Sequence, residues 1–242
     1  VKVRVRGLFP AVGAMQFLGV SEVAAAMAMR YQAEEYRYAP KVIGVDVARY
    51  GDDSSVIIRR QGLACHRPIR LRGVDLMTLS SRVADEIRTY EPDAVFVDEC
   101  GIGAGVVDRL RQLGFDVIGV NAGAAASLPG YRNLRSQMWG IMRDWIRAGS
   151  MLPDDSDLAS DLTTIEYAYD SAEKLVLERK EDLKGRGLPS PDIADAIALT
   201  FAQPVYRASP QQLIEQATKV AHEDYELFAR TPSRGVEYSP WR

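Results

Sequence analysis

Apolar residues occur twice along the chain as short runs that end in a carboxylate, and the first run lies near residue 40. Residues 42–47 are apolar or glycine except for Asp46, which is the pattern of a strand buried on both faces. Turn-forming residues follow at 51–54, and residues 55–60 and 64–71 predict two further strands, with Gly62 near the bend between them. The three strands together predict an antiparallel meander.

Helical and strand patterns then alternate. Leu76, Leu79, Val83 and Ile87 recur on one face of a helix, and residues 94–98 form the second apolar run that ends in a carboxylate. Residues 106–113 predict another helix and residues 115–120 another strand. Because strand–helix–strand units join parallel strands through right-handed crossovers, we expect an α/β fold. Its mixed sheet would have three antiparallel strands and then parallel strands, with helices on its faces.

The rest of the core is predicted to be mainly helical. Helices are expected over residues 134–147, 156–165 and 192–201, with a hairpin whose strands lie at 168–169 and 175–177. Helix 134–147 is amphipathic, so each of its faces has an expected environment. Its inward face would carry Leu134, Met138, Ile141, Met142 and Trp145, and its outward face Arg135, Arg143, Asp144 and Arg147.

Two segments flank this core. Residues 1–38 are interpreted as a linker, with a short strand before Pro10 and a helix at 21–30 for which Ser21 is the expected N-cap. Residues 39–205 form the expected core domain, and residues 206–242 a polar C-terminal tail with one helix at 211–228. The chain has no initiator methionine, so we expect it to begin inside a longer protein.

The composition excludes several classes of protein. The chain has 242 residues, of which 47% are hydrophobic, but no apolar run approaches the roughly 20 residues that cross a bilayer. Cys65 and Cys100 are the only cysteines, which argues against a disulfide framework or a zinc site built from cysteines. His66 and His222 are the only histidines, so nucleophilic catalysis by a Ser/His or Cys/His pair is disfavoured.

Basic residues are clustered although the formal net charge is −3, a sign that nucleic-acid-binding proteins seldom have. A cluster of acids that binds metal would contribute part of this negative charge. The basic clusters lie beside the acidic segments, which favours contacts to phosphate. They comprise Arg59, Arg60, Arg67, Arg70 and Arg72 on the predicted hairpin, Arg132 and Arg135 at a helix start, and Lys174, Arg179, Lys180, Lys184 and Arg186 before the last helix.

Acidic residues stand at three places where a divalent-cation site needs them. Asp46 ends one strand, Asp98 and Glu99 end another, and Asp192 and Asp195 lie one helical turn apart. Mg²⁺ prefers oxygen ligands, and clustered carboxylates repel one another unless a cation is present. Two cations about 4 Å apart can promote hydrolysis of a phosphodiester. The pattern predicts a metal site at Asp46, Asp98 and Asp195, with Asp192 less certainly included.

Each acid also has a structural explanation, and the residues alone leave the choice open. Asp46 and the pair Asp52 and Asp53 suit turns, Asp98 and Glu99 suit the start of the next helix, and Asp192 suits a helix N-cap. The glycine-rich segment 101–105 does not have the spacing of a dinucleotide-binding loop, so it is a tight turn or a point of close approach for a DNA backbone. No phosphate-binding P-loop occurs.

Three segments resemble the nuclease domain of the large terminase subunit, the DNA-packaging motor of tailed bacteriophages. They are VIGVDVARYGDDSSV at 42–56, VDECGIGAGVVDRL at 97–110 and LERKEDLKGRGLPSPDIADA at 177–196. The opening residues 3–10 are similar to the link between the ATPase and nuclease domains of that family. The resemblance covers roughly residues 1–205, and the tail matches nothing in it.

This resemblance implies a ribonuclease H-like fold and cleavage of double-stranded DNA with two Mg²⁺ or Mn²⁺ ions. By motif position, Asp46, Asp98 and Asp195 would be catalytic metal ligands, and Asp46 would be shared between both ions. Asp192 would be a further ligand, as in the Asp-x-x-Asp helix of related Holliday-junction resolvases. Glu99 is a rival to Asp98, while Lys180 and Asp53 would support the ligands or position the substrate. Arg132, Arg135, Arg179 and Lys184 would contact DNA.

The implied role is the cutting of concatemeric viral DNA during genome packaging in the host cell cytoplasm. Its partners would be the portal protein, the small terminase subunit and an ATPase domain of the same polypeptide that this chain lacks. Three alternatives stay open: a resolvase-like nuclease without a packaging role, a member of the actin and sugar-kinase superfamily, and a module that binds DNA or portal protein without catalysis.

Overall fold

A mixed β-sheet forms the centre of the computed structural model, which describes residues 15–48 and 54–207. Within this part of the chain the main sheet has six strands, and a smaller sheet of three strands packs beside it. The strands are β1 Met15–Gln16, β2 Lys41–Asp46, β3 Ser55–Gln61, β4 Ala64–Cys65, β5 Ile69–Leu71, β6 Ala94–Asp98, β7 Ile118–Val120, β8 Glu166–Tyr169 and β9 Leu175–Leu177.

Helices cover both faces of the main sheet. In chain order they are α1 Val20–Ala28, α2 Ala33–Tyr36, α3 Leu76–Tyr90, α4 Gly103–Gln112, α5 Leu134–Arg147, α6 Ser156–Thr164, α7 Lys180–Gly185 and α8 Asp192–Leu199. None of the helices in the described ranges is long and apolar enough to cross a membrane.

The main sheet changes from antiparallel to parallel at β2. Its strand order is β4-β3-β2-β6-β7, with β5 also paired to β3. Strand β3 pairs antiparallel with β2, β4 and β5, whereas β2, β6 and β7 are parallel neighbours. The expected mixed sheet, with antiparallel strands followed by parallel strands, is confirmed.

The alternation of side chains along the strands builds two separate cores. Ile43 and Val45 of β2 face helices α3 and α4, together with Val95 and Val97 of β6. On the opposite face, Val42 packs under α8 and α5. Because neighbouring side chains of a strand point to opposite faces, Asp46 falls on the same face as Val42, toward α8.

The chain before β2 contributes to the second core. Phe17, Leu18, Val23 and Ala26 are buried in it, and the ring of Phe17 lies 6.0 Å from that of Trp139 in an edge-on arrangement. Strand β1 pairs with β8 in the small sheet. The described part of the segment that we expected to be a linker therefore packs into the fold.

Several predicted boundaries differ from the structure. The strand predicted over residues 64–71 is divided into β4 and β5, because Pro68 between them has no N–H to donate to β3. Helix α1 starts one residue before the expected N-cap Ser21: its N-cap is Gly19, whose N–H donates to Glu22 Oε2 at 2.7 Å. The predicted elements at 3–10 and 211–228 lie outside the described residues.

Candidate active site

Two strand ends bring Asp46 and Asp98 to one edge of the main sheet. In the parallel pairing of β2 with β6, Val45 lies opposite Val97, so the next residues of both strands are neighbours. Asp98 lies on the face of Phe96, which is the α8 face of Asp46. Asp46 is 3% exposed, whereas Asp98 is half-buried and its Oδ1 accepts a hydrogen bond from the N–H of Cys100 at 3.0 Å.

Helix α8 brings the second pair of acids to this edge. It lies directly on β2 at Gly44, where a side chain would collide with the carbonyl oxygen of Ala196. Asp192 and Asp195 are both buried, at 9% and 7% exposure. Asp192 accepts a hydrogen bond at Oδ2 from the N–H of Ser54 at 3.0 Å, so it also ties α8 to the start of β3. Asp192 is the first residue of α8, and Pro191 occupies the N-cap position predicted for it.

Asp195 is held by three side chains. Its Oδ1 accepts hydrogen bonds from Trp139 Nε1 at 2.8 Å and Arg135 Nε at 3.1 Å. Its Oδ2 lies 3.1 Å from the Lys180 ammonium. Burial acts to raise the pKa of Asp195, but Arg135, Lys180 and these hydrogen bonds outweigh it and lower the pKa to about 2. Asp195 is therefore a fixed carboxylate at neutral pH.

Lys180, the first residue of α7, joins the two halves of the site. Its Nζ lies 3.1 Å from Asp195 Oδ2 and 3.8 Å from Asp46 Oδ2. Burial opposes its positive charge, but Asp195 and Asp46 raise its pKa above the ordinary value, so the ammonium is retained. A cation thus already lies between carboxylates that are 149 residues apart in the sequence.

The Asp46 carboxylate is much less stabilised than that of Asp195. Burial raises its pKa to about 8, and repulsion from Asp195, Asp192 and Asp98 adds to this effect against the opposing attraction of Lys180. Among the described residues, the carboxylates of Asp46, Asp98, Asp192 and Asp195 outnumber Lys180 and Arg135, the two cations that lower the pKa values of Asp46 and Asp195. A cluster with this excess of negative charge is the environment in which additional cations stabilise a protein.

The carboxylates are close but do not form a finished metal cage. Within residues 15–48 and 54–207, no three acidic, histidine or cysteine side chains are arranged to hold an ion. The reason is visible at Asp195, whose oxygens are engaged by Arg135, Trp139 and Lys180. The available ligands are carboxylates, which suit Mg²⁺ or Mn²⁺. Lys180 would have to move before the oxygens of Asp195 could bind a cation.

The structure describes the position of Glu99 but not that of Asp53. Glu99 lies over Gly119, on the side of the sheet away from Asp46, because it follows Asp98 by one residue and strand side chains alternate. Its placement does not support it as a rival to Asp98. Asp53 lies outside the described residues.

Three of the four predicted DNA contacts, Arg132, Arg135 and Arg179, line a cleft of about 680 Å³ that also contains Asp98 and Lys180. Arg132 pairs with Asp170 at 3.1 Å and Arg179 with Asp182 at 2.9 Å, so both retain exposed faces while held in place. Lys184 is exposed on α7.

The placement of Arg135 corrects a prediction. We expected it on the outward face of α5, but it points inward, where it binds Asp195 and donates a hydrogen bond to the Glu178 carbonyl oxygen at 2.8 Å. Its guanidinium is therefore occupied by the acidic cluster and is not free to contact DNA. The buried face of α5 is therefore rotated relative to the predicted one. Trp139 is fully buried, whereas Trp145, which was predicted to face inward, is only partly buried.

Sequence reasoning missed two residues that organise the site, Trp139 and Asp161. Asp161 of α6 is 7% exposed, and its Oδ2 accepts hydrogen bonds from the N–H groups of Ile193 and Ala194 at 3.0 and 3.3 Å. It thereby holds the first turn of α8. A signal existed, since Asp161 interrupts the helical stripe formed by Leu158, Leu162 and Ile165.

Nuclease domains of phage large terminase subunits are among the known structures that share this architecture. A mutant domain from bacteriophage Sf6, solved with calcium, gives a TM-score of 0.66 at 20% identity, over 78% of this chain and 100% of that one. The nuclease domain of the same Sf6 subunit gives 0.64 at 20% identity, over 79% and 100%. The nuclease from thermophilic phage G20c with bound magnesium gives 0.56 at 18% identity, over 79% and 99%.

These matches establish the fold. The chain has the ribonuclease H-like fold of terminase nuclease domains, which is the fold that the sequence motifs implied. Other structures of the Sf6 and G20c domains were solved with manganese, cobalt and zinc. No protein-family model matches the chain, and no curated protein sequence matches it.

Proposed function

We propose that this chain is a metal-dependent endonuclease that cuts concatemeric double-stranded viral DNA during genome packaging. The observation that carries the proposal is the meeting of Asp46, Asp98, Asp192 and Asp195 at one sheet edge of a terminase-nuclease fold. Fold alone would not imply an activity. Burial, and secondly repulsion from Asp195, Asp192 and Asp98, raise the pKa of Asp46 to about 8, and a carboxylate destabilised in this way supports a cation site.

Asp46, Asp98 and Asp195 are the proposed ligands of two Mg²⁺ or Mn²⁺ ions, with Asp192 as a further ligand and Asp46 shared. Bound cations of this kind activate a water molecule and offset the charge on the leaving oxygen. Asp46 is suited to the shared position because the charges of Asp195, Asp192 and Asp98 all act on it and raise its pKa. Trp139 and Arg135 fix the orientation of Asp195.

Lys180 has two proposed roles in this site. Without cations, its ammonium offsets the charge of Asp46 and Asp195. Bound divalent cations would offset the same negative charge, and the ammonium would then be available to a DNA phosphate in the cleft that Lys180 lines. Arg132 and Arg179 line the same cleft and are proposed to bind the duplex alongside it.

The packaging role implies further partners, which belong to the proposal. We expect an ATPase domain in the same polypeptide, the portal protein and the small terminase subunit, acting in the host cell cytoplasm. The related domains are themselves parts of large terminase subunits.

The test is cleavage of supercoiled and linear duplex DNA by Asp46→Asn with Mn²⁺ or Mg²⁺. We expect the loss of at least about 10³-fold in rate, because the shared ligand is removed. The matched control is Asp108→Asn, which makes the same chemical change at an exposed position of α4. Circular dichroism must show that both variants keep the fold. Cleavage by Asp46→Asn at the rate of the control would refute the proposal and favour a binding module without catalysis.

A four-way DNA junction belongs in the same assay. Much faster cleavage of the junction than of linear duplex would favour the resolvase-like alternative over packaging. Thermal stabilisation by ATP would favour the actin and sugar-kinase alternative instead.

A further inference from the structure

The arginine cluster on the predicted hairpin is dispersed by the fold, and its members have different partners. Arg59 pairs with Glu86, and Arg60 donates a hydrogen bond to Thr200 Oγ1 at 2.8 Å while covering the ring of Phe201. Arg70 pairs with Asp155 at 2.5 Å. Arg67 is exposed between β4 and β5, at the end of β3 remote from Asp46.

Arg72 differs from these arginines in position and in partners. It follows β5, whose last residue, Leu71, pairs with Ser55 at the active-site end of β3. Its Nε donates a hydrogen bond to Ser54 Oγ at 2.9 Å. Within the described part of the chain, no carboxylate lies within ion-pair distance of its guanidinium, and the side chain is exposed. The guanidinium is thus oriented through one nitrogen, with two nitrogens left as donors.

A cavity of about 190 Å³ lies beside Arg72 and reaches the acidic cluster. Arg72, Ser54, Ser160 and Ser190 line it, and so does Asp192. This volume equals that of about six liquid waters, at about 30 Å³ per water. The other charged groups in its wall have partners, since Arg70 neutralises Asp157 at 3.6 Å and Asp161 accepts two backbone hydrogen bonds.

The acidic cluster therefore borders two concave surfaces. Asp98 and Lys180 line the larger cleft, with Arg132 and Arg179. Asp192 lines the smaller cavity, with Arg72. A DNA strand whose scissile phosphate lies at the carboxylates needs contacts for its flanking phosphates next to the cluster, and these two spaces border it.

We propose that the smaller cavity is a binding subsite for a DNA phosphate that flanks the scissile one, and that Arg72 is the residue that binds it. This inference rests on the proposed nuclease function and adds a substrate contact on the Asp192 side of the site. Arginine suits such a contact because its planar guanidinium donates two parallel hydrogen bonds to phosphate oxygens. Ser54 orients the guanidinium and, through its N–H, also holds Asp192.

The experiment measures duplex binding as a function of salt in the cleavage-silenced Asp46→Asn background, with Ca²⁺ present. Each protein–phosphate contact adds about 0.9 to the slope of log K against log salt. Arg72→Gln should lower the slope by about 1 and weaken binding roughly tenfold at about 50 mM salt. Arg67→Gln removes the same charge from the segment just before β5, outside the cavity, and it should leave the slope unchanged.

Two more variants separate phosphate binding from a structural role. Arg72→Lys keeps the charge and should keep most of the slope. Ser54→Ala removes the hydroxyl that Arg72 binds but keeps the guanidinium and the N–H that holds Asp192, so it should also keep the slope. If Arg72 had only a structural role, Ser54→Ala would weaken DNA binding as Arg72→Gln does, and the salt slope would be the same in all variants.

Cleavage by the parent protein, measured in parallel with Mn²⁺, tests the nuclease function separately from the phosphate subsite. If the parent cleaves duplex DNA and Arg72→Gln has the same salt slope as Arg67→Gln, the subsite does not exist although the nuclease does. If the parent neither binds nor cleaves DNA, the proposed function fails and the subsite fails with it.

Discussion

At the residue scale, Lys180 and divalent cations would compete for the same carboxylate oxygens. We expect Lys180→Ala to lower the free energy of unfolding in EDTA by about 1 kcal/mol, a modest value because the side chain is 37% exposed and screened by solvent. The stabilisation by Mn²⁺ should become larger than in the parent, since no ammonium must be displaced. Thermal denaturation with EDTA and with Mn²⁺ measures both effects.

The control for this prediction is Lys174→Ala, which removes an exposed lysine from the turn between β8 and β9. It should change neither the stability in EDTA nor the Mn²⁺ effect. An unchanged Mn²⁺ effect in Lys180→Ala would mean that the ammonium and the cations do not share a site.

Asp161 makes a second residue-scale prediction, which concerns pH. Burial raises its pKa to about 7, opposed by the hydrogen bonds from Ala194 and Ile193. A carboxyl whose pKa is raised by folding stabilises the protein below its unfolded value near 4, and this contribution is lost as pH rises toward 7. The free energy of unfolding of Asp161→Asn, relative to that of the parent, should therefore be about 1–3 kcal/mol higher at about pH 7 than at about pH 4.

Urea unfolding at several pH values in EDTA measures this difference. Asp157→Asn is the matched control, since its carboxylate lies on the same helix but is 70% exposed. A gain that does not depend on pH, or an equal gain in Asp157→Asn, would show that Asp161 is not the titrating group.

The sequence predicts the four carboxylates but not their partners. Asp46 and Asp98 can be recognised because each ends an apolar run, and the strand period determines that they share a face. Arg135 was predicted on the wrong side of α5, because a helix with apolar residues around more than half its circumference does not define its rotation. Tertiary contacts with Asp195, which is 60 residues away in the chain, decide that rotation.

At the element scale, the position of α8 depends on Gly44. A Cβ at this residue would collide with the backbone of Ala196 and would lie 2.9 Å from Thr200 Cγ2, so Gly44→Ala must push α8 off β2. We expect a loss of about 3 kcal/mol or more in stability. Cleavage should fall as well, because α8 carries Asp192 and Asp195.

Gly185→Ala is the control for Gly44→Ala, since a Cβ at the end of α7 meets no atom within 4 Å. Alanine favours helix, so this variant should be neutral or slightly more stable in chemical denaturation. Equal stability of Gly44→Ala and Gly185→Ala would contradict the close approach of α8 to β2.

The elements themselves were largely predictable, and the exceptions have local causes. Periodicity identified β2, β6, α3 and α5 with their types and approximate bounds. Pro68 divided the third predicted strand, and Glu22 satisfied the N–H of Gly19 and so moved the start of α1. Both exceptions depend on single backbone N–H groups, which a hydrophobic pattern does not record.

At the scale of the whole molecule, the structure predicts where the chain can be shortened. The compact unit that contains both sheets ends at Tyr206. A chain that begins at residue 39 loses Phe17, Leu18 and Val23 from the core, at about 1.5–3 kcal/mol for each side chain. That loss is comparable to the whole stability of a typical domain, so this variant should not fold.

A chain that ends at residue 206 should instead keep the midpoint of thermal unfolding and the Mn²⁺-dependent cleavage of the parent. Circular dichroism measures thermal unfolding, and cleavage of supercoiled DNA measures activity, for both truncations. A folded, active chain beginning at residue 39 would mean that the segment before β2 is a linker after all.

Trp139 donates its indole N–H to Asp195 and is fully buried, so the protein contains an optical reporter of its own site. Indole emission is sensitive to the charge and polarity beside the ring, and light absorbed by the ring can be passed to a luminescent lanthanide bound at nearby carboxylates. Terbium luminescence sensitised at Trp139 would therefore register occupancy of the acidic cluster without labels or DNA. Trp139→Phe should lower that signal more than Trp145→Phe does, because only Trp139 donates its indole N–H to Asp195.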